Sequence, residues 1–428
     1  MLEKVAPDKS TFTPVEDPIL TAKINVPGLP AWLVDRPRLT GRLTRGVDGP
    51  LTVLTAPAGS GKTFLASAWA ARTSTAGGVA WLSLDDHDNS PGVFWSYLLA
   101  SLARGGVHIA AAGRPAPDES IDRSFLIRLV VALSERREPV VLLLDNAHVL
   151  TGPAVAGLDF LLRHAGPHLR TVLLSRGRTS LPLHRYRLAG LLTEVGFDEL
   201  AFTEAEARAL AATHHVRLPD AAVAALTEHT QGWAAGLRMT VRAMRHRQRS
   251  DARGGPDGHG DLAEYFRAEV LDKQPPDVRE FLLCTSVVKR LRPALAAELS
   301  GRPDAARILA TLARDNTFVA PVPGDRTGYE YVPVIRQLLR TELDRERPAR
   351  LPALNRTAAV WFSAAGQPTD AVLHAAESGD WEYATVEVVR GLSVGQFLVG
   401  PRAARLATSF AAMPADLDTA AAAAVRAA

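Results

Sequence analysis

The chain has 428 residues, 47% of them apolar and 22% charged, which is the balance of a globular protein long enough for two to four domains. A formal net charge of +3 is too small to argue for nucleic-acid binding by itself. A single cysteine, Cys284, excludes an intrachain disulfide and lies in an apolar helical pattern that suggests a buried thiol. No apolar run approaches the length of a membrane span, and no apolar stretch follows Met1-Leu2-Glu3-Lys4 as a signal peptide requires. The expectation is a cytoplasmic protein with no membrane contact.

Residues 1–30 are rich in Pro and Thr and read as an extended arm laid on the first domain. Val34-Asp35-Arg36-Pro37-Arg38-Leu39 leads into a short helix toward Leu43. For Arg36 and Arg38 two readings stand side by side: a solvated turn, or a segment beside the base of a nucleotide.

The next stretch, Leu51 to Thr63, reads L-T-V-L-T-A-P-A-G-S-G-K-T. Its apolar start predicts a buried strand, its middle a turn of small residues, and Phe64 to Ala71 a helix. Strand, glycine-rich turn, Lys-Thr and helix make a phosphate-binding loop. Gly59 and Gly61 let backbone N–H groups, with Ser60 between them, turn toward phosphate oxygens. The helix adds its N-terminal dipole, Lys62 a cation for the outer phosphates, and Thr63 a hydroxyl for Mg²⁺. The first glycine of the usual G-x-x-x-x-G-K-T pattern is replaced by Ala56.

Gly78 to Leu84 predicts a second strand, ending in Asp85-Asp86-His87-Asp88-Asn89. Three carboxylates near a histidine can be a metal site, but a turn and helix cap is the favoured reading. Helices are expected around Val93–Arg104 and Ser124–Arg136, separated by a Gly/Pro-rich loop at 105–118. Pro139 to Asp145 is a fully apolar strand ending on a carboxylate, the place for a Mg²⁺-holding Walker B aspartate. Asp145 is thereby the one catalytic candidate. The next residue, where many ATPases carry a second acid to activate water, is Asn146, and an amide takes no proton at neutral pH. Asp85 or Asp86 could substitute as a base if the second strand lies alongside.

Thr171 to Arg176 is a further strand, with Arg176 at the same sheet edge and in reach of a terminal phosphate. Leu191–Leu200 reads as one more strand carrying Glu194 and Asp198. The alternation predicts a parallel sheet covered by helices on both faces. From Thr203 the pattern is helical: a capped start at Thr203–Glu206, then helices near 219–229 and 232–247. Arg245-His246-Arg247-Gln248-Arg249 reads as a basic helix end favoured by the macrodipole, with a phosphate patch as the alternative. Ser250–Asp261 reads as a linker. Helices near Leu262–Leu271 and Val278–Ser286, with short strands Thr317–Val322 and Tyr329–Val332 around Pro323-Gly324-Asp325-Arg326, suggest a winged helix. Residues 351–428 are helical, with a hairpin at His374 to Trp381 that resembles the start of a repeat array.

In order, Ala56-Pro57-Ala58-Gly59-Ser60-Gly61-Lys62-Thr63, Val34 to Leu39, Trp81 to Asp85, Gly232-Trp233-Ala234-Ala235-Gly236-Leu237 and Gln274 to Val278 resemble the MalT-type STAND ATPases, the large LuxR-family transcription regulators. That family tolerates alanine at position 56. The expected fold is an α/β P-loop NTPase (31–202), an all-α helical domain (203–250), a winged-helix domain (262–345) and a truncated, TPR-like helical segment (351–428). The resemblance implies a switch: ADP keeps the protein closed, and an inducer on the C-terminal helical region with ATP opens it into an oligomer. A C-terminal domain absent from this chain then binds promoter DNA. Gly59, Gly61, Lys62 and Thr63 are implied to hold phosphates and Mg²⁺, Asp145 to be the Walker B residue, Arg176 a phosphate sensor, and Arg36 a neighbour of the base. Two departures weaken parts of this: Asn146 stands for the second acid, and Val332 for a histidine that contacts the ADP phosphate. A hydrolase with turnover and a scaffold with a vestigial nucleotide site are the alternatives.

Overall fold

The computed structural model describes residues 19–73, 77–107, 115, 121–250, 260–314, 318–322, 324–325, 327–390 and 403–427. Residues 1–18 of the expected arm, most of the expected loop at 105–118 and linker at 250–261, and Pro323 and Arg326 of the wing turn lie outside them. The chain divides into two contact units. One holds 36–55 and the described residues of 19–31 and 62–196; the other holds 32–35, 56–61 and the described residues from 197 onward.

The first unit is built on five parallel strands: β1 (Leu51–Thr55), β2 (Val79–Ser83), β3 (Val140–Asp145), β4 (Leu169–Ser175) and β5 (Leu192–Val195). Their order across the sheet is β2-β3-β4-β1-β5. Every residue of β3 is buried, as a central parallel strand covered on both faces requires. The register sets Thr55 beside Ser175 and Ser83 beside Asp145, so the strands end together along one edge. The flanking helices are α1 (Pro37–Val47), α2 (Lys62–Arg72), α3 (Pro91–Arg104), α4 (Arg123–Ser134), α5 (Gly152–His164) and α6 (Leu183–Leu188). Pro37, Pro91 and Pro153 stand in the first turns of α1, α3 and α5, where the missing N–H costs nothing. Ile24 of the arm joins the core formed by Leu82, Phe94, Trp95 and Leu142.

The acidic cluster after β2 is a cap. Asp85 and Asp88 form a reciprocal capping box around the 3₁₀ turn Asp86–Asn89. Lys23 pairs with Asp85 at 3.1 Å and with Asp88 at 2.6 Å, tying the arm to the strand end. Among the described residues no group of histidine, cysteine and acids is arranged to hold a metal. The expected strand Leu191–Leu200 is corrected: only Leu192–Val195 pairs in the sheet, and α7 (Phe197–Leu200) follows. Gly196 interrupts the strand, and Asp198 and Glu199 suit the first turn of a helix.

In the second unit, α8 (Glu204–Thr213), α9 (Asp220–Thr230) and α10 (Ala234–Ser250) surround a core of Leu210, Val223, Leu226, Leu237 and Val241, closed by Val34. The capping box predicted at Thr203 and Glu206 is present. The helix expected over Leu262–Leu271 is α11 (Gly260–Phe266) running into a π-helical turn, Arg267–Leu271. Then come α12 (Pro276–Thr285), α13 (Pro293–Ser300), α14 (Ala305–Arg314) and α15 (Pro333–Glu346). Strands Arg290–Leu291 (β6), Val319–Pro321 (β7) and Tyr329–Tyr331 (β8) form an antiparallel sheet in the order β6-β8-β7. Cys284 is wholly buried, and desolvation pushes its thiol up to about 11, so it is a core residue. Helices Arg350–Ala364, Pro368–Ser378, Trp381–Arg390, Ala403–Phe410 and Ala420–Ala427 complete the described chain, and the hairpin turn falls at Gly379 as expected.

An ion network ties α15 to the π turn. Glu342, 5% exposed, accepts from Arg267 at 2.8 Å and from Arg345 at 2.6 Å. Burial opposes its charge, but the two guanidinium groups outweigh burial and hold its carboxyl well below the usual range. Glu342→Ala leaves both arginines without this acceptor, and a loss of about 2 kcal/mol is expected in urea unfolding. The sign of the pH effect follows from the depressed folded-state pKa. The contribution is complete above the ordinary glutamate pKa and fades as pH falls through the lower folded value. The stability difference between wild type and Glu342→Ala therefore shrinks in acid.

Candidate nucleotide site

At the C-terminal edge of the first unit's sheet, α2 begins at Lys62 and carries Thr63 beside the end of β3. The Thr63 hydroxyl donates to Asp145 Oδ2 at 2.9 Å, and the Asn146 backbone N–H donates to Oδ1 at 2.9 Å. A hydroxyl and a carboxylate at this separation are two hard oxygen donors of the kind Mg²⁺ takes. Burial raises the Asp145 carboxyl above its ordinary range, against the pull of Thr63, Asn146, Lys62 and Arg176. A buried carboxylate so raised is one whose charge a cation would restore.

Lys62 is 8% exposed. Burial pushes its ammonium down to about 8, Asp145 opposes that shift, and Arg176 adds to it. A lysine at the first position of a helix also faces the positive end of the dipole. Desolvation, dipole and neighbouring arginine together favour an anion at this ammonium, which is the fit a phosphate requires. The backbone N–H of Arg176 meets His148 Nδ1 at 3.5 Å, which holds the end of β4 beside the turn after β3.

The turn 56–61 belongs to the second unit. Gly59 and Gly61 have φ of 72° and 84°, the left-handed backbone that glycine adopts at no steric cost. The turn is clasped by the start of α10. Trp233 Nε1–H donates to the Ala58 carbonyl at 2.9 Å, and the Ala235 N–H donates to the Gly59 carbonyl at 2.9 Å. A Cβ on Gly59 would stand 2.6 Å from the Ala235 Cβ and 2.9 Å from the Tyr265 hydroxyl, so this glycine also serves close packing. Ser60 Oγ is buried with no hydrogen-bond partner among the described residues.

Of the residues singled out from sequence, Lys62, Thr63, Asp145 and Arg176 come together in the first unit, and Gly59, Ser60 and Gly61 lie in the clasped turn. Arg36 is buried at the cap of α1, its carbonyl accepting from Leu39 and Thr40. Beside burial, Asp145 and Arg176 act on the Lys62 ammonium. Asn146 is left-handed at φ 59°, and its side-chain amide donates to the Leu84 carbonyl at 3.4 Å. Asp85, one of the two substitutes for a base, is engaged by Lys23 and by the His87 N–H. Val332, in the place of the histidine, is buried in the apolar core. Sequence reasoning missed the clasp. Trp233 and Ala235 stood in the Gly232–Leu237 piece, but their partners are some 175 residues away and leave no local signal.

Residues 267–351 match the family model of the MalT winged helix domain. The HTH-type transcriptional regulator MalT of Cronobacter sakazakii is 31% identical over 376 residues, covering 85% of this chain and 41% of that protein. The serine/threonine-protein kinase PknK of Mycobacterium tuberculosis is 33% identical over 356 residues, covering 81% of this chain and 32% of that protein. The chain thus spans less than half the length of these curated relatives. Among solved structures, the Aeropyrum pernix ORC1 protein in complex with DNA is similar with a TM-score of 0.40 and 17% identity, over 76% of this chain and 96% of that one. No helix of the described residues is long and apolar enough to cross a membrane.

Proposed function

The chain is a homologue of the MalT-type STAND regulators along most of its length, and on that premise we propose that it is a nucleotide-controlled switch. ADP or ATP with Mg²⁺ is held by Gly59, Ser60, Gly61, Lys62 and Thr63, with Asp145 on the metal, Arg176 at the terminal phosphate and Arg36 near the base. The observation that carries the reading is the clasp. The turn built to hold phosphates is hydrogen-bonded through Ala58 and Gly59 to Trp233, just before α10, and to Ala235 in its first turn, so nucleotide occupancy bears directly on the helical part of the second unit. A ligand shifts a conformational equilibrium by its differential affinity for two states, and a loop shared in this way supplies the difference. Related segments occur in proteins named for two outputs, a transcriptional regulator and a kinase, which suits a control module more than a dedicated catalyst.

In this reading ATP favours self-association, an inducer acts on the helical region from 351 onward, and promoter DNA is read by a part outside these residues. The setting is the cytoplasm. Turnover is slow because the residue after Asp145 is Asn146, whose amide cannot act as a base. Purified protein is expected to carry ADP or ATP detectable by mass spectrometry, and calorimetry is expected to show different affinities for the two. Steady-state phosphate release should stay near one equivalent per chain, and Asn146→Asp should raise it by about tenfold or more. Equal affinities for ADP and ATP, or rapid turnover by wild type, would remove the switch reading in favour of a scaffold or an ordinary hydrolase.

A further inference from the structure

We propose that Trp32, His214, Arg238, Arg242 and Arg245 form a second anion site, one that takes phosphate groups carried along a chain. Arg238, Arg242 and Arg245 follow one another at i, i+4 and i+7 on α10, so they share a helix face over about 10 Å. The Arg238 guanidinium lies 3.7 Å from the centre of the Trp32 ring, and the His214 ring is stacked near the same indole at 6.4 Å and 24°. Stacking occupies the face of a guanidinium and leaves its edge N–H groups for an acceptor.

That acceptor is missing among the described residues. Arg238 Nε is buried without a hydrogen-bond partner among the described residues, and burial, with the like charge of Arg242 beside it, works against its guanidinium. His214 is 7% exposed, and its Nε2 is likewise buried without a partner. Burial first, and then the like charges of Arg238, Arg242, Arg245 and His215, hold its imidazole below its ordinary pKa. The helix macrodipole accounts for basic residues in the last turn of a helix. It does not account for Arg238, which stands in the second turn of α10. Two buried, unpartnered nitrogens, Arg238 Nε and His214 Nε2, beside further guanidinium groups on the same helix face suit an anion with several acceptor oxygens.

The site shares no side chain with the Lys62 cluster and does not rest on the nucleotide reading. Its test uses the full chain carrying Lys62→Ala, which removes phosphate binding at the loop. Calorimetry at about 0.15 M salt with sodium tripolyphosphate, and separately with a mixed-sequence DNA duplex, reads the site directly. Tripolyphosphate should bind, and adding Arg238→Gln and Arg242→Gln should weaken it by about tenfold or more. NMR should show the His214 ring titrating at higher pH when tripolyphosphate is present, a readout that a packing role for the arginines would not move. Should the double substitution unfold the protein, Arg245→Gln alone should lower affinity and reduce the His214 response. Binding of tripolyphosphate but not duplex identifies a small phosphorylated ligand; binding of both identifies a nucleic-acid backbone. Failure of both to bind, binding unchanged by the arginine substitutions, or loss of ADP affinity when those substitutions are made with Lys62 intact would overturn the proposal.

Discussion

Replacing Lys62 by methionine is expected to abolish nucleotide binding and, at the same time, to make the nucleotide-free protein more stable. Both effects have one cause. Lys62 is buried at the N-terminal end of α2, where desolvation and Arg176 depress its ammonium to about 8 from an ordinary value of 10.5. Because the folded protein binds that proton less tightly than the unfolded chain, stability from this group rises as pH climbs between the two values. At neutral pH the charged lysine costs on the order of 1–3 kcal/mol, and methionine removes that cost while keeping the volume. Thermal unfolding without nucleotide should therefore show a higher midpoint for Lys62→Met than for wild type near pH 7, and a smaller difference near pH 10. With ADP present the order should reverse, since only wild type gains from the ligand. Losing the contact between a buried ammonium and a phosphate should weaken ADP by about a hundredfold or more. Equal ADP affinity in the two proteins would show that the loop does not hold phosphates.

Trp233→Ala is expected to have the largest effect on stability. The side chain is fully buried, packs on Phe318 at 4.9 Å and donates to Ala58 at 2.9 Å. Deleting it leaves a cavity in the core of the second unit, and a loss of about 3–5 kcal/mol follows. Trp233→Phe separates packing from clasp: it keeps an aromatic ring but removes the N–H donor, at about 1 kcal/mol. The phenylalanine protein should remain folded by circular dichroism yet differ from wild type in its relative affinities for ADP and ATP. Identical affinities and an identical midpoint would mean that the hydrogen bond to the turn couples nothing.

The parts legible in the sequence were those whose signals are local. Leu51 to Thr63 carries its own strand, turn and helix start, and Val140 to Leu144 is apolar throughout before the carboxylate of Asp145, so both are legible in the sequence alone. The capping boxes at Thr203 and at Asp85 were readable because each needs only four consecutive residues. The two-residue strand β6 was not, since Arg290–Leu291 has no periodicity of its own and is a strand only because β8 pairs with it. Gly196 hid the change from strand to helix within Leu191–Leu200. The role of Gly59 was half read. Its left-handed backbone follows from the loop, but the approach of Ala235 and Tyr265 is set by tertiary packing alone. The same holds for Arg238, whose stacking on Trp32 and unpartnered Nε follow from tertiary packing rather than from the basic run that ends the helix.

If nucleotide identity is read through the clasp, the backbone amides of the turn and of α10 should report it. Hydrogen–deuterium exchange followed by mass spectrometry on the purified chain, saturated with ADP or with a non-hydrolysable ATP analogue, measures this directly. The account predicts that peptides spanning 56–61 and 233–240 exchange at different rates in the two complexes, and that Lys62→Met shows neither pattern. Identical protection of both segments with either nucleotide, at proven saturation, would contradict it.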